Sequence, residues 1–202
     1  MRNVLSVTSE CVPLVKTGGL ADVAGALPAA VAAHGWDMRT LLPAYKGLLK
    51  KAAAQDVVWK SKDLFGGPAR VVQGEAGGNV VLLLDAPHLY DRDGGPYGDP
   101  VDFPDNPQRF AALSFVAAEI ARNGLSDGWR PHVVHAHDWQ AGLAPTYLKY
   151  GTPTDVATVM TVHNIAFQGV APAAMLGTLD LPLDAFTPDE LEYWGQISTL
   201  KA

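Results

Sequence analysis

Asn3-Val4-Leu5-Ser6-Val7, followed by Lys16-Thr17-Gly18-Gly19-Leu20-Ala21-Asp22, reads as a strand, a glycine loop that carries a lysine, and the first turn of a helix. Such a unit gathers backbone N–H groups, the positive end of a helix dipole and a cation at one point, which suits a phosphate-bearing ligand. Glycines without Cβ let the backbone turn sharply and let a ligand come close. The segment has neither the Gly-x-x-x-x-Gly-Lys-Ser/Thr pattern nor Gly-x-Gly-x-x-Gly. Lys16 and Asp22 therefore leave two readings open: a ligand-facing cation with a dipole-complementing acid, or two solvated surface charges.

Outward from that unit, strand and helix patterns alternate. Leu20, Val23, Ala24, Leu27 and Val31 recur at helical spacing, with Pro28 predicting a kink or restart. Met38 to Leu42 reads as a second strand and Lys46 to Ala54 as a short helix. Val57 to Trp59, Ala69 to Gln73 and Val80 to Leu84 follow one another with glycine turns between them, which predicts an antiparallel excursion. Pro87 to Pro107 is a long loop rich in proline and glycine, a length more often functional than idle. Asn106-Pro107 predicts an N-cap with proline at the first helical position. The helix it opens, through Arg122, is apolar nearly all round and should be buried. His132 to His137 is a strand, Gln140 to Tyr150 a helix and Val156 to Val162 a further strand.

The order β-α-β-α-β with short loops predicts an α/β domain over residues 1–202 with a mostly parallel sheet covered on both faces. Ligands in such sheets bind beyond the carboxyl ends of the strands. Asp138 and the pair His163-Asn164 both fall there. Trp194, Ile197 and Leu200 keep a helical apolar spacing up to the last residue with no capping signal. That spacing predicts an exposed apolar face and more chain beyond it.

Composition narrows the function classes. The chain has 202 residues, 48% of them hydrophobic and 18% charged, and a net charge of −6. That charge disfavours a nucleic-acid surface, while leaving room for an anionic small ligand met by a local lysine. The single cysteine, Cys11, cannot form an internal disulfide, which fits a reducing cytoplasm. No apolar run reaches the roughly 20 residues of a membrane span.

Three clusters compete as chemistry. His132-Val-Val-His135-Ala-His137-Asp138 puts His135 and His137 on one face of a strand, so His135, His137 and Asp138 form a candidate metal centre of a hydrolase. The competing reading is a buried, hydrogen-bonded histidine beside one that contacts a polar ligand. Asp91-Arg92-Asp93 matches a cation-binding Asp-x-Asp, or equally a solvated turn. Trp139, directly after a polar strand end, is a candidate sugar-stacking ring. No Gly-x-Ser-x-Gly elbow is present and Cys11 has no adjacent base, so acyl transfer has no support.

Taken together, four collinear stretches resemble the bacterial glycogen synthase and plant starch synthase family: Ser9 to Val23, Asp105-Asn106 with Arg109-Phe110, Val134 to Leu143, and Thr161 to Gly169. The resemblance implies a Rossmann-like three-layer domain, the N-terminal half of a GT-B transferase with its C-terminal nucleotide-binding domain outside this chain. It implies transfer of glucose from ADP-glucose to an α-1,4-glucan with retention, with no metal and no cofactor. Lys16, Gly18, Gly19, His163 and Asn164 would then contact the donor. Asp22, Tyr97, Asp138 and Trp139 would lie toward the acceptor, with His163 and Asp138 nearest the chemistry. The alternatives that stand beside it are the metal-dependent hydrolase and a stand-alone glucan-binding module. On its own the chain is expected to fold but to turn over negligibly, its cleft having one wall.

Overall fold

The computed structural model describes residues 2–202. Its main sheet is built from β1 (Arg2–Val7), β2 (Trp36–Pro43), β3 (Asp56–Ser61), β4 (Ala69–Ala76), β5 (Asn79–Asp85), β6 (Val133–His137) and β7 (Ala157–Thr161). Their order across the sheet is β3-β4-β5-β2-β1-β6-β7. The five strands from β5 to β7 are mutually parallel, and β4 pairs antiparallel with both β3 and β5. The sequence reading of a mostly parallel sheet with an antiparallel excursion holds.

Helices α1 (Leu20–Ala32), α2 (Leu48–Lys51), α3 (Pro87–Tyr90), α4 (Asn106–Asn123), α5 (Asp138–Ala141) and α6 (Leu143–Tyr150) complete the layers. Alternation along the central strands explains why both faces must be covered. Leu41, Leu82 and Leu84 join the large core cluster with α4 and α6, whereas their neighbours Leu42, Val81 and Leu83 join a second cluster with Ala24 of α1. Side chains two apart share a face, so one run of leucines supplies two cores. In α4, Phe110, Leu113, Val116 and Ile120 are all buried, as the all-round apolar pattern requires.

The chain moves from β1 to β2 on one side and returns later to β6 on the other. The sheet therefore changes its direction of growth at the β1/β6 boundary, where the loops after the strands diverge and leave a crevice. Register aligns these ends: Val7 pairs with Ala136, and His137 with Thr161.

Several local expectations are corrected. The Lys46–Ala54 helix is the single turn α2, bounded by left-handed residues at Gly47 (φ +84°) and Ala53 (φ +47°). The Gln140–Tyr150 helix begins two residues early, at Asp138, and is interrupted at Gly142. Helix α1 runs through Pro28 without a restart. The N-cap position of α4 is Asp105, not Asn106, and neither side chain caps the helix: the Asp105 carboxylate pairs with Arg92, and Asn106 Nδ2 donates to the Tyr97 carbonyl at 2.8 Å.

The helical reading of Trp194 to Leu200 is also overturned. This segment forms β9 (Glu192–Tyr193) and β10 (Gln196–Ser198), which pair with β8 (Val170–Pro172) in a small antiparallel sheet of order β8-β10-β9. Gln196 faces Tyr193, so Trp194-Gly195 is a two-residue turn, and both residues have positive φ (+52° and +78°). A strand twist is matched by such a primed turn. Of the three spaced apolar residues, Ile197 is thereby fully buried, Leu200 is half-buried and Trp194, 87% exposed, stays on the surface. Among the described residues, no helix is long and apolar enough to cross a membrane.

Candidate functional site

The glycine loop is organised by a carboxylate that the sequence reading did not single out. Glu10 follows β1 and is buried. It accepts hydrogen bonds from the Thr17 amide, from Thr17 Oγ1 at 2.5 Å, from the Gly18 amide at 3.3 Å and from the Tyr97 hydroxyl at 2.6 Å. A carboxylate is an acceptor only, so four donors converging on it hold the loop in one shape. Gly18 and Gly19 are open: a Cβ on either would meet no atom within 4 Å. The free space over them, not an unusual dihedral angle, is what glycine provides here. Beside them Lys16 Nζ bonds both carboxylate oxygens of Asp22, at 2.8 and 2.7 Å, and both side chains are about half exposed.

Tyr97 comes from the long loop that the sequence marked, and it points inward. Its hydroxyl donates to Glu10 and accepts from Ser9 Oγ at 2.8 Å and Gln140 Nε2 at 3.1 Å. Burial, reinforced by the Glu10 carboxylate, pushes the phenol pKa up, so it stays protonated. The ring packs near Phe110 (5.8 Å between centroids) and Trp139 (6.4 Å), and Phe110 meets Trp139 edge-on at 5.0 Å. Trp139 is half-buried and also closes on Gly169 (φ +59°), where a Cβ would press on the Trp139 ring at 2.7 Å.

The loop itself is anchored by Arg109, 1% exposed. Its guanidinium donates to the Leu89 and Pro96 carbonyls at 2.8 and 2.9 Å and to Asn106 Oδ1 at 2.5 Å, and it lies 4.8 Å over the Phe103 ring. The Asp91-Arg92-Asp93 turn does not gather carboxylates. Arg92 pairs with Asp105 at 2.7 and 2.5 Å, and Asp93 is held by Lys46 at 2.6 Å.

At the end of β6 the chain turns abruptly into α5, with Asp138 in the left-handed region (φ +54°), a conformation that Asp tolerates better than most residues. This aims the buried carboxylate at the loop after β7. Its Oδ1 accepts from the His163 amide at 2.6 Å and the Asn164 amide at 3.3 Å. Asn164 in turn caps its own turn, Oδ1 accepting from the Ala166 amide at 3.0 Å.

Three histidines line the same edge. The His135 and His137 rings are 4.2 Å apart, and His137 stacks with His163 at 5.2 Å. His135 Nε2 is bonded to Thr161 Oγ1 at 2.7 Å, and both nitrogens of His137 are bonded, to Ser6 and to His163. Burial, then the two neighbouring imidazoles, hold the His137 pKa down to about 3, and burial lowers that of His135 as well. Four of the six ring nitrogens, including both of His137, are bonded to one another or to hydroxyls. Among the described residues no group of three or more His, Cys, Asp or Glu side chains is arranged to hold a metal ion. The hydrolase reading of His135, His137 and Asp138 fails on that geometry.

Hydrogen bonds and ring contacts run from the glycine loop through Glu10 and Tyr97 to Gln140 and Trp139, a second set joins Asp138 to His163 and His137, and the Asp138–Trp139 peptide links the two. This ledge sits at the switch point of the sheet. Residues 3–202 match the family described as the starch synthase catalytic domain. The chain belongs to that family. It is 63% identical over 200 residues to a glycogen synthase of Cereibacter sphaeroides, and 61% identical over 204 residues to one of Paracoccus denitrificans. These alignments cover 98% and 100% of this chain but 42% and 44% of the relatives, so the chain spans less than half their length. The solved catalytic domain of Starch Synthase IV from Arabidopsis thaliana, bound to ADP and acarbose, aligns with a TM-score of 0.79 and 26% identity, covering 98% of this chain and 42% of that one.

Within this family framework, the structure joins Gly18, Gly19, Tyr97, Asp138, Trp139, His163 and Asn164 into one ledge, with Lys16 and Asp22 paired beside the glycine loop. The sequence reading missed Glu10, Gln140 and Ser6. Ser9-Glu10 directly after a strand was a usable signal for the first, because an acid there reaches the amides of the next loop. Nothing local marked Ser6 or Gln140, whose partners lie 131 and 43 residues away.

Proposed function

We propose that this chain forms one wall of the cleft of an enzyme that transfers glucose from ADP-glucose to the non-reducing 4-hydroxyl of an α-1,4-glucan, with retention of configuration. The observation that carries the reading is the ledge at the switch point, where the network that shapes the open, lysine-bearing glycine loop reaches Trp139 and the next residue along the chain, Asp138, holds His163 and Asn164. Relatives named glycogen synthase and a starch synthase neighbour bound to ADP and acarbose support it. The other wall, holding the nucleotide, would be a second Rossmann-like domain of a GT-B transferase.

In this reading the donor diphosphate lies over Gly18 and Gly19 at the N-terminus of α1, whose dipole favours negative charge. Lys16 exchanges Asp22 for a phosphate oxygen. The exchange is cheap, since an exposed ion pair contributes only about 0–1 kcal/mol. His163 and Asn164 meet the donor glucose, and Trp139 with Asp22 faces the acceptor. Tyr97 and Asp138 act through others: Tyr97 holds Glu10 and thereby the glycine loop, and Asp138 holds the His163-Asn164 backbone. Catalysis rests on stabilising the departing diphosphate and the developing glucosyl cation, with no general base required from this chain and no metal or cofactor.

Incubation of the whole enzyme with labelled ADP-glucose and a malto-oligosaccharide tests this. The expected product is the oligosaccharide lengthened by one α-1,4-linked glucose, with a cello-oligosaccharide inert. Failure of both ADP-glucose and UDP-glucose to elongate any α-1,4-glucan would overturn it.

A further inference from the structure

The proton positions in the histidine array follow from a residue at its far end. Ser6 of β1 is fully buried, and its hydroxyl bonds one group, Nε2 of His137, at 3.2 Å. The other nitrogen of that ring, Nδ1, lies 2.9 Å from Nε2 of His163. A neutral imidazole has one N–H and one lone pair, so two opposite directions of bonding fit these distances. The serine decides between them. Its proton has no other acceptor among the described residues, and a buried donor left unpaired is costly. Ser6 therefore donates to His137 Nε2, which makes that nitrogen the lone-pair side. His137 then carries its proton on Nδ1 and donates it to His163 Nε2. A neutral His163 in turn carries its proton on Nδ1, which has no protein partner among the described residues.

The other groups against these rings are consistent with that direction. His135 lies tilted at 4.2 Å from His137 and spends its Nε2 on Thr161, so it does not compete for either bond. The Asp138 carboxylate binds the His163 and Asn164 backbone amides and leaves the imidazole to His137. Depression of the His137 pKa to about 3, from burial first and then the adjacent imidazoles, keeps that ring neutral.

We propose that Ser6 and His137 are positioning residues that lock His163 in its Nδ1–H tautomer, so that the ring offers the glucosyl donor a hydrogen-bond donor and not an acceptor. The role in donor recognition rests on the function proposed above; the tautomer itself does not.

Long-range proton–nitrogen NMR on histidine-labelled protein at neutral pH reads the tautomer directly. The expected result is a proton on Nδ1 of His163 and on Nδ1 of His137, with Nε2 of both rings unprotonated. In Ser6→Ala the two bonding directions become comparable, so His163 should show mixed tautomers and the whole enzyme's ADP-glucose affinity should fall about twofold, since about half the molecules keep the competent form. Ser6→Thr, which keeps the hydroxyl, should retain the Nδ1–H form. A proton on His163 Nε2 in the wild-type protein overturns the lock, whatever the protein binds. An Nδ1–H form in a whole enzyme that binds no ADP-glucose would instead overturn the role in donor recognition and the functional reading beneath it.

Discussion

Glu10 shows how one buried side chain can set the shape of a ligand loop. Its oxygens receive four donors and offer none. Glu10→Gln would turn an –NH₂ toward at least one of those donors, and leaving buried groups unpaired costs about 1–3 kcal/mol. Denaturant unfolding should show that loss, together with weaker ADP-glucose binding, since the loop shape and the stability have the same source. His137 gives a second residue-scale expectation. Its folded pKa of about 3 lies below the ordinary 6.5, so the unfolded chain binds more protons between those values. Stability is therefore complete above about pH 6.5 and falls as the pH drops toward 3, with a slope of up to about 1.4 kcal/mol per pH unit from this group. Urea titrations between pH 7 and pH 4 should reveal the slope, and His137→Gln should reduce it.

Two elements carry testable costs. In the β9–β10 hairpin, Trp194 occupies a left-handed position that a bulky residue adopts only with difficulty, while its ring is 87% exposed and gains little from packing. Asn-Gly is the favoured pair for such a turn. Trp194→Asn should accordingly raise the unfolding free energy by about 0.5–1 kcal/mol, readable as a higher Tm. The loop between α3 and α4, residues 91–105, depends on α4 through Arg109, whose planar fork bonds two carbonyls and Asn106 at once. Arg109→Lys keeps the charge but cannot reproduce that geometry. We expect a loss of about 3 kcal/mol or more, because buried partners are left unmet, and protease cleavage should appear first within this loop.

At the scale of the whole molecule, the parts that hold the fold and the parts that would meet substrate are separable. Lys16 and Asp22 are about half exposed and touch the core little. Lys16→Ala should change unfolding free energy by less than about 1 kcal/mol. In glucan elongation assays of the whole enzyme the same variant should be slower by about 100-fold, the loss expected when a charge aimed at a departing anion is removed. A large stability loss with unchanged turnover would contradict this division.

Short-range patterns in the sequence determined much of this. Alternating strands and helices, the leucine runs of β2 and β5, and the apolar girth of α4 each follow from periodicity and burial, so the mostly parallel α/β sheet and the edge where its strands end were legible. So were the glycine loop, Asp138, Trp139 and His163-Asn164, which sit where strands end. The hairpin at Trp194 was not, because a spacing of three residues in a short apolar segment fits a helix as well as a tight turn with two positive φ angles. Nor was the role of Glu10, Tyr97 or Ser6. Each is defined by a partner many residues distant, 87 for Glu10 with Tyr97 and 131 for Ser6 with His137. Periodicity reports which face of an element is buried; only the folded chain decides which polar group from another element is there to meet it, and in a buried site that pairing settles where each proton lies.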